Sequence, residues 1–139
     1  MPPSTLDGLA HAIQLAVAPV FLLSGIAALL AVLTNRLARI IDRLRSLPAD
    51  DDAAVREAAI LGARIQAINR AITFCTYGAL LVAGVVATMF IGVVFGVDLT
   101  AVVATAFVLA MGALIAGLTS FLAEIHLTTR QWRAELRRP

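Results

Sequence analysis

Residues 33–46 read LTNRLARIIDRLRS and directly follow a run of about twenty apolar residues, the length that a membrane-spanning helix requires. The stretch places four arginines, from Arg36 to Arg45, with no glycine or proline among them. Apolar residues recur at alternating intervals of three and four, the spacing of a coiled-coil seam: Leu30, Leu33, Leu37, Ile40, Leu44 and Leu47. The sequence therefore predicts one helix that leaves a membrane and continues unbroken into water, with its basic face hydrated.

The composition supports a membrane protein. Hydrophobic residues make up 60% of the 139 residues and the mean hydropathy is +0.93, whereas soluble domains contain about 45–50% apolar residues. The length corresponds to a single domain. The lone cysteine, Cys75, excludes an internal disulfide framework and leaves no cysteine-based metal site.

Three stretches are long enough to cross a hydrocarbon core, and none contains a lysine or arginine: residues 9–33, 71–97 and 99–123. Helices satisfy their own backbone hydrogen bonds in lipid, so the predicted fold class is an all-α integral membrane protein with three transmembrane helices. The alternative of a cleaved signal peptide is disfavoured because no basic residue precedes Arg36.

The distribution of arginine predicts the orientation. Seven of the eleven basic residues lie between the first and second spans and four follow the third, whereas the N-terminal tail and the turn at Asp98 have none. By the positive-inside rule, residues 34–70 and the basic tail 124–139 are cytoplasmic and the N-terminus lies outside the inner membrane.

Residues 34–70 are predicted to form an antiparallel helical hairpin. Pro48 and the aspartates that follow it form a turn, and a second apolar seam then runs into the second span through Ala58, Leu61, Ile65, Ile68 and Ile72. The arginines of the hairpin are interpreted as a solvated face and topology signal. The alternatives are binding of anionic lipid headgroups or of a phosphate-bearing ligand. Nucleic acid is disfavoured because no aromatic interleaving or binding motif accompanies the charge.

A polar rim is predicted where the hairpin meets the membrane, comprising Asn35, Arg36, Arg39, Asn69, Arg70 and Glu124. The returning arm is longer than the outgoing one by about 10 Å, which places Asn69 and Arg70 below the headgroups. An arginine at that depth needs a partner, and Glu124 at the end of the third span is the candidate. In the alternative, Arg70 extends to the interface and Glu124 is simply hydrated.

Small residues form stripes along the second and third spans. Gly84, Thr88, Gly92 and Gly96 are four apart, and Gly112, Ala116 and Ser120 repeat the spacing. Such stripes allow close approach of helices, within one chain or between chains. Because three spans enclose little volume, a homo-oligomer is expected if anything passes through the protein.

A polar group is predicted at the opposite mouth, formed by Asp7, His11, Gln14 and Asp98. Carboxylates at a mouth concentrate cations, and histidine is the residue type that changes charge near neutral pH. The alternative is a capping aspartate and an interfacial histidine. Hydroxyl groups within the spans are expected to bond back to their own helices rather than to line a pore: Ser24, Thr34, Thr73, Thr76, Thr88 and Thr105.

No enzyme motif occurs in the sequence, and no cofactor or metal is indicated. The chain is therefore expected not to be an enzyme.

Three segments carry a resemblance to a known family: IQLAVAPVFLLSGIAALLAVLTNRLARIIDRLRSL at residues 13–47, NRAI at 69–72 and FLAEIHL at 121–127. In these the chain resembles small bacterial membrane proteins catalogued as domain of unknown function 2721. The resemblance implies a three-span membrane protein and no particular activity. The motif positions that it emphasises are Asn35-Arg36, Asn69-Arg70 and Glu124.

Three functional hypotheses follow. We favour a homo-oligomeric channel-like or transport protein, because of the small-residue stripes, the seams that leave the membrane and the polar residues at both mouths. The second is a non-conducting scaffold or regulatory subunit that binds a partner or anionic lipid through the hairpin. A membrane enzyme ranks third, because catalytic motifs are absent from the sequence.

Overall fold

The part of the chain that the structure describes forms three helices: α1 spans Pro3–Arg45, α2 spans Asp52–Phe95 and α3 spans Thr100–Glu135. The computed structural model describes residues 3–48 and 52–135, with backbone alone for residues 3–5, 124 and 127–135. Within these residues, Leu6–Arg45, Asp52–Phe95 and Thr100–Ala123 are long and apolar enough to cross a membrane. The all-α fold with three such helices is as predicted.

The first two helices are much longer than a membrane is thick. α1 contains 43 residues and α2 contains 44, so each is about 65 Å long, against a hydrocarbon core of about 30 Å. Neither is interrupted at residues 33–45 or 60–72. This confirms the prediction that both helices continue past the apolar spans without a break.

α1 and α2 run in opposite directions and touch near both of their ends. A Cβ atom built on Gly8 would lie 3.7 Å from Val93 Cγ1 at one end. At the other end, the Arg43 guanidinium donates from Nε to Glu57 Oε1 over 2.8 Å. The two helices are therefore paired along nearly their full length.

Buried residues follow each other at intervals of seven along this pair. On α1 they are Ile26, Leu33 and Ile40, and on α2 they are Leu61, Ile68, Cys75 and Val82. Seven residues make close to two helical turns, so each set lies on one side of its helix. Burial continues beyond the apolar spans, because Ile40 and Leu61 lie among the arginines.

α2 packs against α3 through small residues. A Cβ atom on Gly78 would lie 3.0 Å from Leu114 Cδ2, and one on Gly117 would lie 2.8 Å from Cys75 Sγ and 3.3 Å from the Ala71 carbonyl oxygen. Ala71, Cys75 and Ala110 are fully buried. The absence of side chains at the two glycines thus permits the close approach of these helices.

Large apolar side chains cover the outer faces of the helices. Phe21, Leu80 and Val108 are 74%, 68% and 69% exposed. A soluble monomer rarely exposes a contiguous apolar surface of this kind, and lipid is the solvent that suits it.

A tight turn joins α2 to α3. Gly96 adopts a left-handed φ of 65°, and the Val97 N–H donates to the Gly92 carbonyl over 3.1 Å, which is the pattern of a glycine C-cap. Asp98 Oδ1 then accepts the Thr100 backbone N–H over 3.0 Å, as an N-cap does. The second helix accordingly ends at Phe95 rather than residue 97, and the third begins at Thr100 rather than residue 99.

The small-residue stripes need correction. Gly96 lies in the turn and caps α2, so its placement on a helix-packing face was wrong. A Cβ atom on Gly92 would meet the Val97 carbonyl oxygen at 3.1 Å, so this glycine accommodates the turn. Gly84 and Gly112 have open space at the Cβ position. The glycines that bring helices of one chain together are Gly78 and Gly117.

Threonine hydroxyls behave as predicted. Each donates to a carbonyl oxygen four residues earlier on its own helix, at 2.8–2.9 Å: Thr34, Thr73, Thr76, Thr88 and Thr105. These donors are therefore satisfied locally.

We expect Gly117→Ala to destabilise the α2–α3 packing by about 1–3 kcal/mol, because the added methyl group overlaps Cys75 Sγ and crowds the Ala71 carbonyl. Unfolding in mixed micelles, followed by circular dichroism, measures the change. Gly112→Ala, at an open position on the same helix, should cause no loss. Adding Cys75→Ala to Gly117→Ala should restore part of the stability; equal stability of Gly117→Ala and wild type would contradict the packing argument.

Candidate functional site

The polar rim lies where α1 and α2 leave their apolar spans. Asn35, Arg39, Asn69 and Arg70 are exposed, and Arg36 is half-buried. The Asn69 carbonyl accepts the Thr73 hydroxyl over 2.9 Å. The structure therefore presents most of the polar rim on the surface of the chain.

Arg36 connects α1 to α3. Its guanidinium carbon lies 5.2 Å from the centroid of the Phe121 ring, within the distance at which a cation is attracted to an aromatic face. Phe121 also packs against the buried core. Sequence reasoning placed Arg36 in the polar rim but did not foresee its contact with Phe121.

The arginine on the α3-facing side of α2 is Arg64 rather than Arg70. Arg64 is half-buried and precedes Ala71 by seven residues, so it shares the side of α2 on which Ala71 and Gly78 meet α3. Arg70 is exposed. The predicted polar rim includes Arg70 and not Arg64, although the seven-residue spacing of Arg64 from Ala71 was a usable signal. The side chain of Glu124 lies outside the described residues, and its pairing with Arg70 stays a prediction.

Charge is separated along the parts of α1 and α2 that extend beyond the apolar spans. The segments next to the spans, residues 34–41 and 58–70, contain Arg36, Arg39, Arg64 and Arg70 and no carboxylate. We call these four the proximal arginines. The distal segment, residues 42–57, has three arginines and five carboxylates. Positive charge is thus concentrated beside the apolar spans.

A cavity of about 390 Å³ lies at the opposite end of the helices, under the turn between α2 and α3. We call it the turn cavity. Its polar side chains are His11, Thr88, Asp98 and Thr100, and its other lining residues are Gly8, Ala12, Leu15, Met89, Gly92, Val93, Val97, Leu99 and Val103. Of the predicted mouth residues, His11 and Asp98 therefore line one cavity. Asp7 and Gln14 are exposed and do not line it.

Asp98 is held as a carboxylate by its neighbour. Hydrogen bonds from the Thr100 side chain and backbone lower the pKa of the Asp98 carboxyl below its ordinary value. Both bonds favour the charged form, and the carboxyl is open to solvent, so desolvation opposes them little. The turn cavity accordingly has a negative charge at its rim at neutral pH.

Across the described residues, no group of three or more histidine, cysteine, aspartate or glutamate side chains could hold a metal ion.

These features define a class: an all-α chain with three helices suited to cross a membrane, two of which extend well beyond it. The chain belongs to the DUF2721 family, whose model, described as "Protein of unknown function (DUF2721)", matches residues 16–134. The match confirms the resemblance seen in the sequence. No curated protein matches the chain, and no solved structure does.

The Asp98 cap predicts a pH dependence of stability. Because folding lowers the pKa of Asp98, its charge stabilises the fold above the pKa of an unfolded aspartate, and the contribution is lost as pH falls through the folded pKa. Asp98→Asn retains a good N-cap and removes the charge. The stability difference between wild type and Asp98→Asn should therefore shrink as the pH is lowered from neutral into the acid range, measured by unfolding in micelles. A difference that is constant with pH would contradict the assignment.

Proposed function

We propose that the chain is a non-conducting, non-catalytic scaffold or regulatory subunit of the bacterial inner membrane, which binds anionic lipid headgroups through its proximal arginines. The observation that carries this proposal is the separation of charge beside the apolar spans. Arg39 and Arg70 are exposed there, and no carboxylate occurs within residues 34–41 or 58–70.

The orientation that we propose puts the N-terminus outside and the C-terminus in the cytoplasm, in accord with the position of the arginines. In this orientation residues 34–70 form a cytoplasmic antiparallel hairpin with a coiled-coil seam. Burial of Ile40 and Leu61 and the bond between Arg43 and Glu57 support it. In the register set by Arg43 and Glu57, Arg36 and Arg64 then lie at the level of the headgroups with Arg39 close by, and Arg70 lies about 9 Å deeper, from where its long side chain extends to the interface.

Phosphodiester headgroups match these side chains chemically. A guanidinium can donate two parallel hydrogen bonds to a phosphate, and an arginine near an anionic leaflet gains about 1 kcal/mol. The carboxylates of the distal segment are repelled by the same leaflet. Attraction close to the membrane and repulsion farther away both favour a hairpin that stands out from the surface.

We expect the double variant Arg39→Gln, Arg70→Gln to weaken binding of phosphatidylglycerol by about fivefold per arginine removed. Native mass spectrometry of the full chain, titrated with phosphatidylglycerol and separately with phosphatidylcholine, measures this. The matched control is Arg45→Gln, Arg56→Gln, which removes two exposed arginines of the distal segment and the same net charge.

The control variant should retain the preference of wild type for phosphatidylglycerol over phosphatidylcholine. Equal weakening by the two double variants would show a response to net charge alone and would overturn the proposal. Unchanged binding in both would overturn it as well.

A homo-oligomeric channel-like or transport protein is the second candidate. Gly84 and Gly112 favour it, because the open space beside them could admit the helix of another copy. The seam within one chain is filled by apolar residues such as Leu33, Ile68 and Val82, and the threonine hydroxyls donate to their own helices. A polar path would therefore have to run between copies.

If copies associate through this face, Gly84→Leu should lower the oligomeric mass in lipid nanodiscs and abolish ion flux into proteoliposomes. Gly25→Leu is the matched control, since Gly25 on α1 also has open space at its Cβ position but is not part of the stripe. A monomeric wild-type protein without flux would exclude the channel and leave the scaffold.

A further inference from the structure

We propose that the turn cavity binds a lipophilic cation: an organic ion with an apolar body that rests against the cavity wall and a positive charge that faces Asp98. This site lies at the opposite end of the helices from the proximal arginines, and it is independent of the function proposed above.

The wall of the turn cavity is suited to an apolar body. Ala12 and Leu15 line it from α1, and Met89 and Val93 line it from α2. Its volume of about 390 Å³ is within the range of sites for drug-sized ligands. The long, flexible methionine side chain can adapt to ligands of different shape.

The sign of the ligand's charge follows from the residues around the rim. Asp98 is a carboxylate and has acceptor positions beyond those that Thr100 uses, because a carboxylate can accept about four hydrogen bonds. Neither residues 1–35 nor 71–129 contain a lysine or arginine. Among the side chains that the structure describes, His11 is the only basic one that lines the cavity.

Other occupants fit less well. An organic anion would be repelled by Asp98. A metal ion would find two ligands of suitable type, His11 and Asp98, where a stable site needs at least three from the protein. A neutral lipid chain would contact the apolar wall but would gain no attraction from the charge of Asp98. A cation with an apolar body satisfies both parts of the cavity.

Tetraphenylphosphonium and tetraphenylborate provide a direct test, since they have nearly the same shape and opposite charge. Binding of each is measured by equilibrium dialysis against the full chain in nanodiscs of zwitterionic lipid, with empty nanodiscs subtracted. Wild type should bind the phosphonium and not the borate. Asp98→Asn should weaken binding of the phosphonium by about fivefold or more, the scale expected of one charge contact near the protein surface.

The matched control is Asp7→Asn, which removes an acidic residue from the same end of the protein but outside the cavity lining. It should bind the phosphonium as wild type does. Because asparagine is itself a good N-cap, Asp98→Asn should fold, and an unchanged circular dichroism spectrum verifies this. Binding of the two ions to similar extents, or an equal loss in Asp7→Asn and Asp98→Asn, would overturn the proposal and indicate general partitioning or diffuse attraction.

Discussion

The packing of all three helices depends on α2, which contacts both of the others. It does so with two neighbouring faces of different character. Leu61, Ile68 and Val82 fill the face toward α1, whereas Ala71 and Gly78 keep the face toward α3 nearly flat. Dispersion contacts and close backbone approach hold helices together in lipid, where the hydrophobic effect between them is weak. The face toward α1 packs through large side chains and the face toward α3 packs through close backbone approach, and within lipid neither depends on the hydrophobic effect.

The buried residues between α1 and α2 remain apolar from the hydrophobic spans into the arginine-rich segment. Only the residue types at the positions beside this seam change. Leu22, Leu29, Arg36 and Arg43 recur at intervals of seven on α1, so they occupy equivalent places beside the seam. The first two are partly buried against the core, the third lies over Phe121 and the fourth bonds to Glu57. This substitution at equivalent positions explains why the helix becomes basic at residue 36 without ending there.

Periodicity and charge were enough to predict the spans, the continuity of α1 and α2 and the local bonding of threonine hydroxyls, because each depends on spacing along a single helix. The contacts between helices were harder to predict from the sequence. Gly84 and Gly112 belong to runs of small residues four apart, whereas Gly78 and Gly117 have large residues four positions away, Val82 and Phe121, so spacing alone favoured glycines that meet no neighbouring helix of the chain. Gly96 resembled the end of the small-residue stripe because the turn was predicted at Asp98, and the sequence did not show that the helix would already end at Phe95. For the polar rim, identifying the arginine that faces α3 required knowing which side of α2 each residue occupies. The seven-residue interval from Arg64 to Ala71 places Arg64 on that side, and Arg70 lies on another.

The unbroken course of α1 and α2 has a mechanical consequence. In the proposed orientation, α1 and α2 would be two paired rods of about 65 Å, each with about half of its length in the bilayer, and they would pivot at the membrane surface. Tilt of a spanning helix adjusts to the thickness of the bilayer, and a change of about 10° would displace the tip of a free arm of about 30 Å by about 5 Å. The bond between Arg43 and Glu57 near that tip joins the two rods, so they would swing as one body. A change in bilayer thickness would thereby move the acidic distal segment sideways, parallel to the membrane.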